Sequence, residues 1–495
     1  MIQLLKKISE NNIYLDVIDN ELKLFSEDES IDAALLEEIK SNKEAILGYL
    51  IENKGFFAKA DTVKVISNVA LAEHYELSNA QKRLWILCQN ENVSISYNIP
   101  KKFVLKGDYN VDKLRKAIRS VIDRHEILRT VFKDDQSFEV KQWIVKSEDF
   151  KFDMEYYNFC NDEDQNDKVA KYINSDCEKI FDFEKGPLIR ATLFQLEKEH
   201  FVFYYNIHHI ISDAQSMEVL INEVLNFYNS YVEETKSSLP ELKVQYKDYA
   251  FWMNEKFQNH EFDEHKKFWE NTLAGDLPYF EFPNLPNRSK FKNFSGYSYS
   301  SYLSAELSTK FTKLCSQEGA TLYMGLLALW NILCYKYTAQ KDIILGTTVS
   351  GRELLELENQ IGFYVNTIPL KNTVNPELSF LELFHAVKES SLTALTFQEY
   401  PFDKIVEGLN QKFDINRNPI FDIIFELKDA APQGISITEN TICGAEVNSK
   451  FDLEAVFQLR GNSLHMNINF NVNMYEDEMI KRLIHHFGQL MTEVL

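Results

Sequence analysis

Cysteine is scarce and scattered in this sequence. The 495 residues include six cysteines, with no CxxC pair and no cluster of cysteines with histidines. A disulfide framework or a zinc site would need such a cluster, so we expect neither of them. Reduced thiols in a cytoplasmic protein are the simpler interpretation.

An excess of basic residues is also lacking. Asp and Glu number 75 against 53 Lys and Arg, which gives a formal net charge of −22. Such a surface repels phosphate backbones, and no local basic stripe offsets it, so we expect no nucleic-acid partner. Apolar residues make up 45% and charged residues 26%, which is ordinary globular usage and excludes long disorder.

No apolar run is long enough to cross a membrane. The most apolar stretch, from Leu322 to Tyr337, is uninterrupted only as far as Trp330, whereas a membrane span needs about 20 such residues. The stretch therefore predicts a buried helix. The N-terminus has no long apolar core before a small-residue cleavage site, so neither a signal peptide nor a membrane partner is expected.

The length predicts roughly three domains or lobes, at about 150 residues each. Residues 1–55 show an amphipathic helix, a β-hairpin (13–19 and 21–26) and a further helix or helix pair, which predicts a small unit. Residues 56–75 have no clear period and are interpreted as a linker. From Leu77 onward strands and helices alternate in two similar rounds, which predicts two mixed α/β lobes, residues 76–254 and 255–495.

Two adjacent histidines, His208 and His209, follow the predicted strand HFVFYYNI, and Asp213 comes four residues after the second. An imidazole has an unperturbed pKa of about 6.5, which suits proton handling near neutrality. A lone histidine pair is more often structural. The second pair of this chain, His485 and His486, lies mid-helix without a following acid and is interpreted as structural.

Eight segments follow the order of the motifs of non-ribosomal peptide synthetase condensation domains, which this sequence resembles from about Leu77 to its last residue. One such match is weak, but eight in register over more than 400 residues are very specific. The segments are LSNAQKRLWIL (77–87), RHEILRTVF (124–132), HHIISDA (208–214), YKDYAFW (246–252), GTTVSGR (346–352), IGFYVNT (361–367), QEYPFD (398–403) and INRNPIFDIIF (415–425).

The resemblance implies a mixed α/β fold of two chloramphenicol-acetyltransferase-like lobes, set in a V with a central tunnel. An upstream peptidyl carrier protein presents an acyl or peptidyl thioester at one mouth, and a downstream carrier protein presents an aminoacyl thioester at the other. Both are held on phosphopantetheine arms. The acceptor amine attacks the donor thioester, so the domain itself needs no bound cofactor and no metal.

The resemblance also implies roles for residues in these motifs. His209 lies where the two arms meet and either takes a proton from the amine or orients it, while His208 is a packing residue. Asp213 is mainly structural and paired with an arginine, for which Arg124 is the first candidate and Arg352 the second. Further structural support is expected from Arg129 in the second motif. Trp252 and Asn366 match positions that shape the tunnel or the lobe interface, and structural support is the expected role for both.

The chain departs from the family pattern directly after the histidine pair. Ala214 stands where the family usually has glycine, and Gln215 where it often has an aromatic residue. We expect ordinary negative φ at Ala214, with its methyl group beside the path of the arms. Heterocyclisation domains replace the histidines with aspartates, which this chain does not. Glu126, together with the segment IGFYVNT, resembles the subtype that accepts an L-configured donor.

Residues 1–55 resemble the β-hairpin docking domains that begin some synthetase subunits, as in tubulysin-type assembly lines. The order of helix, two strands and helices carries this resemblance. It implies that the strand containing Leu22, Lys23, Leu24 and Phe25 accepts the C-terminal tail of the preceding subunit by β-augmentation. Lysines 6, 7 and 23 either meet an acidic tail or are solvated.

These observations predict an elongating condensation domain with its own docking domain, at the start of a synthetase subunit whose adenylation domain follows. Two other functions stay open. One is a catalytically silent scaffold that docks carriers, with Ala214 as its mark, and the other is an acyltransferase that uses free coenzyme A thioesters. The docking unit argues against the acyltransferase, because an enzyme that uses free substrates has no need of a segment that binds another subunit.

Overall fold

The computed structural model describes residues 13–18, 21–26, 33–43, 46, 66–279, 282, 295–411, 413–414, 416–428 and 446–495. Its contacts divide the chain into two compact units, residues 1–65 and 66–495. The amphipathic helix predicted at the N-terminus and the turn predicted at residues 19–20 lie outside the described residues.

The first unit contains the predicted hairpin strands. β1 (Ile13–Ile18) and β2 (Glu21–Ser26) pair antiparallel, from Ile13 opposite Ser26 to Ile18 opposite Glu21. They are followed by α1 (Ala33–Ser41), on which Leu35 and Ile39 are buried. The prediction of two strands followed by a helix is therefore confirmed.

The second unit begins with a sheet of four described strands in the order β3-β8-β7-β6, and β4 pairs separately with β5. Only the β6–β7 pair is parallel. In chain order the elements are α2 (Asn79–Leu87), α3 (Glu91–Ser96), β3 (Asn98–Lys106), α4 (Val111–Arg124), β4 (Thr130–Asp134), β5 (Val140–Ile144), β6 (Glu155–Asn158), α5 (Gln165–Cys177), β7 (Ile189–Glu197), β8 (His200–His208), α6 (Ala214–Val232), α7 (Tyr246–Gln258) and α8 (Asp263–Thr272).

Strand β8 is covered on both faces, which explains its nearly continuous apolar sequence. Phe203 and Tyr205 belong to the core that α4 and α6 close. Val202 and Tyr204 belong to a smaller core that α5 closes. Because successive strand residues face opposite sides, both sets are buried at once. The strand is thus fixed from both sides up to its last residue, His208.

The rest of the unit forms a larger sheet, with seven described strands in the order β11-β10-β12-β14-β15-β9-β13. Its elements in chain order are β9 (Ser295–Tyr302), α9 (Ala305–Gln317), α10 (Leu322–Thr338), β10 (Asp342–Val349), α11 (Leu355–Glu358), β11 (Asn366–Thr373), α12 (Phe380–Thr396), α13 (Phe402–Gly408), β12 (Ile423–Lys428), β13 (Glu446–Asn448), β14 (Leu453–Arg460), β15 (Ser463–Asn471) and α14 (Asp477–Glu493).

Helix α10 is the buried helix that the apolar stretch predicts. Its Trp330 is fully buried. The indole contacts Phe425 and Phe457 of the sheet and Phe487 of α14, with ring centroids 5.8–6.3 Å apart. The helix is apolar all round because it lies between the sheet and α14. Among the described residues, no helix combines the length and the apolar character that crossing a membrane requires.

The second half of the segment interpreted as a linker is packed against the second unit. Ile66 is buried, and the Val69 amide donates a hydrogen bond of 2.8 Å to the Asp248 carboxylate. Tyr75 and Gln142 exchange two backbone hydrogen bonds, of 2.9 and 2.8 Å. Residues 66–75 therefore belong to the larger unit.

The lobe boundary at residues 254/255 stays a prediction. Side chains from both sides of it share one core, because Leu357, Ile361 and Tyr364 are buried in the cluster that also contains Phe203 of β8.

Candidate active site

The histidine pair lies at the end of β8, where the strand gives way to a 3₁₀ turn, His209–Ile211. Its backbone is fixed at two points. The His208 amide donates a hydrogen bond of 3.0 Å to the Leu188 carbonyl, and the His209 amide donates one of 2.9 Å to the Tyr97 carbonyl. The turn leads into α6, so both imidazoles are carried on rigid backbone.

The His209 ring is partly buried and held in one orientation. Its Nδ1 is 2.7 Å from the Ser212 carbonyl oxygen, which can only accept a hydrogen bond, so Nδ1 carries the proton. The ring lies edge-on between two aromatic side chains, with its centroid 6.1 Å from that of Tyr97 and 5.0 Å from that of Phe363. Burial and the positive charge of Lys450 hold the pKa of His209 well below its usual value. The imidazole is therefore neutral at pH 7, with its lone pair on Nε2.

His208 is fully buried and engaged on both nitrogens. Its Nδ1 accepts a hydrogen bond of 3.1 Å from the Ile210 amide, and its Nε2 is 3.8 Å from the Cys88 sulfur. The ring packs edge-on against Phe181 and Phe183. Burial, assisted by the charges of Lys450 and Arg190, lowers its pKa to about 3. These contacts describe a packing residue.

Asp213 anchors the turn to a distant segment of the chain. It caps α6 by accepting a 2.8 Å hydrogen bond from the Ser216 amide. Its two carboxylate oxygens accept hydrogen bonds of 2.9 and 3.1 Å from Arg352. The Tyr364 amide donates a further one of 3.0 Å. Both charged side chains are almost completely buried.

The prediction that Arg124 pairs with Asp213 is wrong, because Arg124 pairs with a different carboxylate. Arg124 donates a 3.0 Å hydrogen bond to Glu223 of α6, and the same carboxylate pairs with His125 at 2.8 Å. Arg352 takes the place beside Asp213 because it directly follows Gly351, whose φ is +64°. A side chain on Gly351 would collide with the Tyr364 carbonyl, 2.1 Å from an added Cβ, so only glycine permits this close approach.

The remaining motif residues hold backbone segments. Arg129 is buried and donates to the carbonyls of Ile122 and Val145. Asn366 donates two 2.8 Å hydrogen bonds to the carbonyls of Gln398 and Tyr400.

Trp252 is partly buried against both large cores, with the ammonium of Lys256 lying 4.5 Å from its ring centroid. None of Arg129, Asn366 and Trp252 contacts the His209 ring among the described contacts.

Ala214 is exposed and begins α6 directly after its cap, Asp213. It is not among the described non-glycine residues with positive φ. The backbone expectation for this residue is therefore confirmed, and alanine causes no backbone strain here. The position of its methyl group relative to the substrate arms stays a prediction.

Sequence reasoning missed three residues around His209: Tyr97, Phe363 and Lys450. Phe363 lies within the recognised segment IGFYVNT, so its motif was a usable signal. Tyr97 and Lys450 lie outside every recognised segment. Lys450 is separated from His209 by more than 200 residues of chain, so only the folded arrangement reveals it.

A family model described as "Condensation domain" matches residues 71–495. The chain belongs to the condensation-domain family. Gramicidin S synthase 2 of Brevibacillus brevis is 32% identical over 435 residues, which are 87% of this chain and 9% of that protein. Bacitracin synthase 2 of Bacillus licheniformis is 31% identical over 500 residues, covering 99% of this chain and 18% of that protein. This condensation domain thus spans less than a fifth of either relative.

The fold of this condensation domain also resembles that of the X-domain from teicoplanin biosynthesis. The TM-score is 0.75 at 22% identity, and the match covers 87% of this chain and 97% of the other. The alignment with bacitracin synthase 2, at 99% of this chain, takes in the small N-terminal unit as well.

Proposed function

We propose that this condensation domain elongates a non-ribosomal peptide. A donor acyl or peptidyl group, L-configured, arrives as a thioester on an upstream carrier protein, and an aminoacyl thioester arrives on a downstream one. The acceptor nitrogen attacks the donor carbonyl carbon, a C–N bond forms and the C–S bond breaks. The amine proton ends on the released phosphopantetheine thiol. Because the thioester is already activated, alignment alone can lower the barrier by up to roughly 7–11 kcal/mol.

The orientation of His209 is the observation that carries this proposal. With Nδ1–H bonded to the Ser212 carbonyl, Nε2 is the nitrogen that can accept. Within the described part of the chain no group hydrogen-bonds to Nε2. Its lowered pKa makes this imidazole a weak base. It therefore orients the acceptor amine by accepting an N–H hydrogen bond, and it need not remove the proton before attack.

We further propose that the small N-terminal unit docks the preceding subunit, whose C-terminal tail adds to β2 as a further strand. The hairpin of β1 and β2 supports this, because among the described strands these two pair only with each other and an edge strand can accept a further strand. The relation to bacitracin synthase 2, which includes these residues, supports a place within a synthetase. The adenylation domain and acceptor carrier then follow in the longer protein.

The test is a condensation assay with two excised carrier proteins, each loaded with a panel of aminoacyl groups and followed by intact-protein mass. We expect dipeptide on the downstream carrier, with L-configured donors preferred, and Ala214→Gly within about tenfold of the natural rate. Product from free coenzyme A thioesters without the upstream carrier would favour the acyltransferase. No product from the natural chain, with product restored by Ala214→Gly, would favour the silent scaffold.

A further inference from the structure

A lysine from the second half of the chain lies beside the histidine turn. Lys450 is partly buried just before β14, and its Nζ is 4.3 Å from the ring centroid of Tyr97. Tyr97 meets the His209 ring edge-on, at 6.1 Å between centroids, and its carbonyl holds the His209 amide. One aromatic side chain therefore contacts both the ammonium group and the imidazole.

The backbone of Lys450 is fixed by the loop that precedes β12. The Asn418 side-chain amide donates a 3.2 Å hydrogen bond to the Lys450 carbonyl. Two residues later, the Asp452 amide donates one of 3.0 Å to the Asp422 carbonyl. These hydrogen bonds hold the backbone around Lys450 in place, so the position of Lys450 does not depend on a carboxylate partner.

Charged and titratable groups face Lys450 from several elements. Among the described residues no ion pair includes it, and the Glu454 carboxylate accepts a 3.1 Å hydrogen bond from Asn469. The groups whose charge acts on Lys450, or on which its charge acts, are Glu426 of β12, Glu454 of β14, Cys88 after α2, and His208 and His209 at the end of β8.

Burial lowers the pKa of Lys450 to about 8, so this side chain is still mostly cationic at pH 7. Its positive charge adds to burial in lowering the pKa of both His208 and His209. Lys450 thus adds positive charge beside two imidazoles that are neutral at pH 7, and Arg190 also acts on His208.

We propose that Lys450 is a positioning residue whose ammonium group keeps the acceptor amine unprotonated beside His209. This rests on the proposed function. A protonated amine has no lone pair and cannot attack, and an α-amino group is ordinarily half protonated at about pH 7.7–8.0. A cation close to the amine disfavours a second positive charge there. Lys450 is charged over the same pH range in which the amine would otherwise be protonated.

The test compares Lys450→Met, which keeps the length of the side chain, with Lys450→Arg, which keeps the charge. Lys428→Met is the matched control, because Lys428 lies exposed at the end of β12 and its charge acts on Glu454. Two quantities are measured in each full-length variant. The first is the pH dependence of single-turnover condensation, with the carrier pair that gives most product in the assay above. The second is the titration of the His209 ring by NMR of labelled histidine, with the His209 signal assigned by its loss in His209→Ala.

In Lys450→Met we expect the acidic fall of the rate to move about 1–2 pH units upward, as removal of a nearby like charge allows. The His209 midpoint should also rise. Lys450→Arg and Lys428→Met should retain the natural profile and midpoint. A pH-independent rate loss, or an unmoved His209 midpoint, would overturn the inference.

Failure of the proposed function looks different, because the natural chain would then make no product at any pH. The proposed effect of Lys450 on the protonation of the acceptor amine would then fail as well. The His209 titration would still report whether Lys450 sets the charge at this turn.

Discussion

His208 and His209 are neighbours in sequence with opposite surroundings. Within the described part of the chain, the hydrogen bond that His209→Ala removes is the one to the Ser212 carbonyl, so we expect a folded protein. Because the amine loses the acceptor that orients it, condensation should fall by about 10²-fold, as misplacement of a reacting group can cause. The measurement is single-turnover product formation, with circular dichroism confirming the fold.

His208→Ala is the paired variant. It leaves the buried Ile210 amide without its acceptor, which costs about 1–3 kcal/mol, and it opens a cavity between Phe181 and Phe183. We expect a clear loss in the free energy of urea unfolding.

For His209→Ala, near-natural turnover by the folded protein would remove His209 from the centre of the reaction.

The buried histidine also predicts how stability depends on pH. The pKa of His208 is lowered by burial to about 3 in the folded state, against about 6.5 when unfolded. As the pH falls below 6.5, the unfolded chain therefore binds a proton before the folded protein does. The contribution of His208 to the free energy of unfolding is fully present above pH 6.5 and decreases towards pH 3.

His208→Asn isolates this contribution, because its Oδ1 can accept the Ile210 hydrogen bond without titrating. Between pH 6 and 5 the natural protein should lose about 1 kcal/mol more than the variant. Urea unfolding at both pH values provides the measurement. Parallel pH dependences in the two proteins would contradict the assignment.

At the scale of elements, the Asp213–Arg352 pair ties the start of α6 to the segment between β10 and β11. Asp213→Asn leaves a buried guanidinium without its counter-charge, so we expect a loss of about 3–5 kcal/mol in unfolding free energy. Glu306→Gln is the control, because its pair with Lys310 is exposed and exposed ion pairs contribute little to stability. Equal effects of the two variants in urea unfolding would show that burial does not matter here.

The elements differ in how far sequence could predict them. β10 follows the apolar run DIILGTTV to its ends, and β8 and α10 were also recognisable because burial on both sides leaves continuous apolar runs. The short strands β4 and β5 were not predicted, since five residues that pair mainly with each other carry little pattern.

Contacts between distant residues were the least predictable. Arg124 was preferred to Arg352 as the partner of Asp213, although neither residue carries a local signal of its partner. Lys450 gave no signal at all, because its role depends on the loop before β12 bringing it to Tyr97. Periodicity reports which face of an element is buried, but not which segment covers it.

At the scale of the whole molecule, the small N-terminal unit is predicted to bind an acidic C-terminal tail of the preceding subunit. A fluorescent tail peptide should bind the full chain weakly, and its affinity should fall as salt screens the charges. Lys23→Glu on β2 should weaken binding through charge reversal, whereas Lys40→Glu at the end of α1 should have little effect. Fluorescence anisotropy at several salt concentrations is the measurement. Equal loss in both variants would argue against β2 as the binding strand.

The pairing of Asp213 with Arg352 also orders events during synthesis. The two residues are 139 positions apart, so at about 5–20 residues per second the ribosome needs roughly 7–28 s to deliver the arginine after the aspartate. Until then the histidine turn has its strand and its helix but no counter-charge. A nascent chain that ends before residue 352 would contain all four described strands of the smaller sheet but would still lack the arginine that anchors the histidine turn. The histidine turn is therefore anchored well after the histidines themselves have been synthesised.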